Sequence, residues 1–144
     1  MRCRAALTLT VLLATGFAPG AAAGASYRII VHPSVKGNQI PRATLNSIFL
    51  KYAPKWGDGS PVLPVDQSFR SRIRQAFANE IHQRPMMELR VFWTRRMATG
   101  VIPPPVKETD EEVVAFVAAT PGAIGYVAPT TQLPDSVRQI VIVE

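Results

Sequence analysis

The densest chemistry in the sequence is a run of alternating arginines, Arg70-Ser71-Arg72-Ile73-Arg74. It stands where a β-rich segment gives way to a helical one. The first N–H groups of a helix have no partner within it and carry the positive end of its dipole, so such a turn can receive an anion. A serine hydroxyl adds a donor, and arginine matches phosphate or carboxylate with a two-pronged fork. The candidate oxyanion site is the Gln67–Arg74 turn, with Gln67, Ser68, Arg70, Ser71 and Arg74 as its ligands. Residues two apart on a helix point about 200° apart, so Arg72 and Arg74 cannot both converge on one ion. The competing reading of the same run is a solvated helix face.

Other chemistry has less to stand on. His32 and His82 are far apart and lack ligand-type spacing, and the chain's one cysteine is Cys3. A metal site needs three or four convergent ligands, so neither a metal nor any other cofactor is implied. No G-x-S-x-G, H-E-x-x-H or P-loop pattern occurs, and no nucleophile–base set suggests an enzyme. Asp110-Glu111-Glu112 fits the first turn of a helix, where carboxylates favour the dipole. Trp56 and Trp93 read as core or core-edge residues.

The 144 residues suit one domain, and 47% hydrophobic against 18% charged residues excludes a disordered chain. Charge is uneven. Lys36 to Arg96 holds 11 basic and 4 acidic residues, a net +7, whereas Lys107 to Glu144 holds 2 basic and 6 acidic, a net −4. Nucleic acid is not expected as a partner, because no aromatic ladder accompanies the basic residues.

Residues 1–25 read as a secretory signal peptide. Arg2 and Arg4 precede an apolar run from Ala5 to Phe17, and small residues follow with cleavage expected between Ala23 and Ser26. That run is shorter than the ~20 residues needed to span a bilayer. The expectation is an exported, periplasmic domain over 26–144, not an integral membrane protein once cleaved. It would carry 14 basic and 10 acidic residues and no cysteine.

Elements follow from periodicity. Tyr27–His32 is a β-branched strand, and Pro33–Asn38 a loop. Pro41 opens a helix with Leu45, Ile48, Phe49 and Tyr52 on one face. Val62–Val65 is a second strand, weakened by Pro64. The helix from Ser71 buries Ile73, Ala76, Phe77 and Ile81; the helix from Pro85 buries Met86, Leu89, Trp93 and Met97 and is capped by Gly100. Thr109 and Glu112 form a capping box for a helix that turns Val113, Phe116 and Val117 inward. Ala123–Val127 and Val137–Val143 are the last strands. The order predicts an α/β domain, a small mixed sheet covered by four helices. Its expected core comprises Ile30, Leu45, Ile48, Phe49, Phe77, Trp93, Phe116, Ile124 and Val141, with Trp56 at its edge.

These residues carry a resemblance. Leu45-x-x-Ile48-Phe49 followed by Lys55-Trp56-x-Asp58-Gly59, the strand Pro61–Val65, Ser71-x-x-Arg74-x-x-Phe77, Phe92-Trp93 and above all Pro121-Gly122-Ala123-Ile124-Gly125-Tyr126 resemble the phosphate-type periplasmic substrate-binding proteins of ABC transporters. The similarity runs from about Tyr27 to Val143. It implies one lobe of a type 2 periplasmic binding protein, binding phosphate or a similar oxyanion and working with a transporter permease or a sensor. Family members normally close two lobes on the ion, and the first lobe has no counterpart here. They often carry Arg at the place of Gln67 and Gly at the place of Arg70. Ser71 and Arg74 match the family pattern. Two functions stay open at this point: an oxyanion-binding component, or a single-lobe sensor or adaptor that has lost tight binding.

Overall fold

In the computed structural model, the described residues are 26–144. The expected signal peptide lies outside them. Strands β1 (Arg28–Val31), β2 (Gln39–Pro41), β3 (Leu63–Pro64), β6 (Ala123–Val127) and β7 (Arg138–Val143) form one sheet in the order β2-β7-β1-β6-β3. β1 runs antiparallel to β6 and β7, while β2 is parallel to β7 and β3 parallel to β6. The sheet is thus mixed, as expected. β4 (Asp66–Gln67) and β5 (Val106–Lys107) pair separately and in parallel.

Side chains alternate across β1 and so define two cores. Ile29 and Val31 face the layer of helices α1 (Arg42–Phe49) and α2 (Arg72–Phe77), where Leu45, Ile48, Phe49 and Phe77 are buried. Ile30 faces α4 (Asp110–Ala119) and meets Val113 and Val117. Helix α3 (Met86–Ala98) lies over the first layer through Leu89 and Trp93, which pack on Leu50 and Ala78. The four expected helices all form, and the Thr109–Glu112 capping box closes reciprocally at 3.2 Å in each direction.

Several expectations are corrected. Tyr52 is 58% exposed, because α1 stops at Phe49 and Lys51 turns left-handed at φ 61°. Val141 is 57% exposed; the alternation of β7 turns Ile140 inward instead. Phe116 is half-buried rather than central, and Met97 is exposed beyond the end of the core, while Trp56 packs at the core edge as expected. Gln39–Pro41 pairs with Val141–Val143, and Pro41, expected to open the helix, serves as its extended cap. The helix from Ser71 loosens after Phe77 into a π turn, Ala78–His82, that keeps Ile81 in the core.

Candidate functional site

Within the strand expected at Val62–Val65 only Leu63–Pro64 is β3, and the extended chain continues into β4. Val65 N–H still donates to Ile124 O at 2.9 Å, on β6, but Asp66 N–H donates to Pro105 O at 2.8 Å. The chain therefore leaves the main sheet at Val65 and joins β5, which carries it away from β6 and opens room for polar side chains beneath. Ser68 N–H is tied to Lys107 O at 3.0 Å, and a β-turn follows, closed by Ser71 N–H on Ser68 O at 2.9 Å. Ser71 then caps α2, its hydroxyl accepting from Arg74 N–H at 3.2 Å.

Three of the five expected ligands come together here, facing inward. Arg74 is only 4% exposed, and its Nη2 stands 2.9 Å from Asp66 Oδ2 while Nη1 donates to Gln67 O. Asp66 Oδ1 accepts from the Tyr126 hydroxyl and from Gln67 N–H. The buried Gln67 side chain accepts from the Ser71 hydroxyl at 2.5 Å and donates to Tyr126 O at 2.8 Å and Asp110 Oδ1 at 2.9 Å. Asp110 in turn accepts from Ala128 N–H at 2.9 Å and the Thr131 hydroxyl at 2.6 Å. Burial raises the pKa of the Asp66 carboxyl and, with the Asp66 charge beside it, that of the Tyr126 hydroxyl, and the Arg74 guanidinium offsets only part of either rise. A buried pair endures only when such additional bonds satisfy its remaining atoms, and this one has them.

Of the other two, Ser68 is half-buried and Arg70 lies outside. Arg70 is exposed at the crest of the turn, and its N–H approaches Ser68 Oγ at 3.4 Å. Arg72 is exposed on α2, turned from Arg74 as the helical angle requires. Phe69 props the turn from beside: the Arg74 guanidinium stacks on its ring at 3.9 Å, and Arg90 of α3 approaches the same ring at 5.0 Å.

Asp66, Tyr126 and Asp110 are the members that sequence reasoning missed. One signal for Asp66 was present. It is an acid closing the apolar run Pro61–Val65, in a strand that must be buried, and such an acid requires a cation within reach. Among the described residues no group of three or more His, Cys, Asp or Glu side chains is placed to hold a metal ion, and no helix is long and apolar enough to cross a membrane.

This architecture is that of a single lobe of periplasmic-binding-protein-like structures. The chain is similar to an ABC-type phosphate transport receptor from Vibrio cholerae, with a TM-score of 0.63 and 14% identity over 81% of this chain and 46% of that one. It is also similar to a putative phosphate ABC transporter substrate-binding protein with bound phosphate from Clostridium perfringens, with a TM-score of 0.64 and 18% identity over 81% and 44%. A third likeness is PstS from Borrelia burgdorferi, with a TM-score of 0.64 and 15% identity over 81% and 47%. This chain spans less than half the length of each of these structures. No protein-family model and no curated protein matches the sequence.

Proposed function

We infer that this chain is an exported, periplasmic binding lobe that meets phosphate or a similar small oxyanion at the Ser68–Ile73 turn, and does so openly and weakly. The observation that carries the reading is the division of labour in the turn. Asp66, Gln67, Ser71 and Arg74 bond to one another and fix the backbone, while Arg70 is exposed and Ser68 half-buried beside the start of α2. Gln67, Ser71 and Arg74 accordingly act as positioning residues, and the ion's contacts come from Arg70, Ser68 and backbone N–H groups. The phosphate-type proteins that share the fold support phosphate as the ion, and they support an ABC transporter permease as the partner that receives it. Water on the open side screens the charges, so affinity is low and falls with salt.

A second reading, a sensor or adaptor that has dropped ligand binding, draws on one observation. The buried side chains of Gln67 and Arg74 spend their donors inside the protein. Calorimetric titration with phosphate at low and high salt separates the two. The binding reading expects heat at millimolar phosphate, reduced by salt and by Arg70→Ala. No heat from wild type at low salt gives the adaptor reading its place.

A further inference from the structure

Helix α3 carries apolar side chains inside and out, among exposed charges. Leu89 and Trp93 point into the protein, while Met87 is 70% and Val91 49% exposed on the outer face. Along its outer side runs a groove of about 670 Å3 between Met87, Val91, Phe92 and Tyr52. Arginines rim it: Arg84, Arg95 and Arg96 against the single acid Glu88. Arg96 is held in place over the Tyr52 ring, 4.5 Å from its centroid.

The complementary surface is on the same chain, across the sheet. Helix α4 covers the opposite face, packing on Ile30. Its outer side carries a second groove of about 540 Å3, floored by the small side chains Ala115 and Ala118 and edged by Glu111. Glu108 and Glu112 are exposed at the same end of that helix. Long side chains on one helix pack into the space that small ones leave on another. Charge selects the orientation. Two α3 faces would set arginines against arginines, whereas α3 against α4 sets a helix bearing Arg90, Arg95 and Arg96 against one that opens on Asp110, Glu111 and Glu112.

We propose that the outer face of α3, with Met87 and Val91 as its ridge and Arg84 and Arg95 at its edge, docks into the α4 groove of a second copy of this chain. Because the two surfaces lie on opposite faces of the sheet, the contact is head-to-tail. Each copy keeps one surface free for the next.

The test is a complementation experiment followed by light scattering on purified protein. Wild type should associate with rising concentration, and about 0.5 M salt should weaken that association because it screens the charged rim. Val91→Asp blocks the ridge and Ala115→Arg fills the groove. Each variant alone should be monomeric, with circular dichroism confirming that it is folded. Mixed, the two should form a one-to-one dimer that grows no further, because each retains the one surface its partner needs. Should either variant fail to fold, Met87→Glu and Glu111→Arg repeat the scheme. A monomeric wild type at millimolar concentration overturns the proposal. So does loss of association in the α3 variant alone, which would mean a two-fold α3 contact or some other partner, such as an acidic peptide. A mixture that stays monomeric overturns it as well.

Discussion

Asp66 and Arg74 form an ion pair 2.9 Å apart, eight residues apart in sequence and almost wholly buried beneath the turn that joins β4 to α2. Three further bonds converge on this pair. Tyr126 and the Gln67 N–H hold the carboxylate, and Gln67 O holds the guanidinium.

Removing one partner leaves the other charged and buried. Arg74→Met should therefore cost about 3–5 kcal/mol of stability, and Asp66→Leu a comparable amount, since either change leaves buried donors or acceptors unpaired. The double variant Asp66→Leu/Arg74→Met should cost clearly less than the sum. Guanidinium unfolding of the four proteins in a double-mutant cycle reads the coupling directly. Additive losses would show that the pair is not the organising contact of the turn.

His82 gives the fold a pH dependence. Burial, followed by the positive charges of Arg74 and Arg84, pulls its pKa down from the ordinary 6.5 to about 4, and Nδ1 lies 2.7 Å from Asn46 Oδ1. The folded state therefore keeps the ring neutral where the unfolded chain would protonate it. This contribution to stability is complete above pH 6.5 and is lost as the pH falls through that window to about 4. A shift of that size corresponds to roughly 3 kcal/mol. Urea unfolding at pH 7, 5 and 4 should show the decline, and His82→Gln should flatten it.

Gly125 sits on β6 under α4. A Cβ there would lie 2.8 Å from Val113 Cγ1 and 2.9 Å from Val65 Cγ1. The glycine is what lets the helix approach the sheet. Gly125→Ala should cost about 1–3 kcal/mol by overpacking. Adding Val113→Ala, which vacates the contested space, should return part of the loss in the same unfolding assay.

The buried aromatic cluster sets a contrast between two phenylalanines. Phe77 is stacked on Tyr126 at 4.1 Å with an interplanar angle of 4°, and is 1% exposed. Phe77→Ala should cost about 3–5 kcal/mol. Phe116 is only half-buried, so Phe116→Ala should cost distinctly less by chemical denaturation. Equal losses would mean that α4 is rotated from the orientation described.

Periodicity made much of this fold legible. The faces Leu45-Ile48-Phe49, Leu89-Trp93 and Val113-Val117 are all buried, because a continuous helix projects such spacings to one side. It misled where the helix ended early, at Tyr52, and where strand parity was ambiguous. The run Ile140-Val141-Ile142-Val143 is apolar at every position, so the sequence alone does not say which residues face inward. β2 has only three residues and one buried side chain, too little pattern to separate it from a loop. At the candidate site, the Gln67–Arg74 turn was legible as a concentration of donors. Its inward partners were not: Tyr126 and Asp110 are brought to it by tertiary pairing across 60 and 43 residues, a distance no local pattern records.

The central claim is that the outward side of the Ser68–Ile73 turn receives an oxyanion while the buried network below only positions it. Amide chemical shifts recorded during a phosphate titration at low salt test this most directly. The account predicts fast-exchange shifts concentrated at Phe69, Arg70, Arg72 and Ile73, saturating in the millimolar range and collapsing in Arg70→Ala. Unmoved amides in that segment at millimolar phosphate, or shifts concentrated elsewhere on the surface, would contradict it.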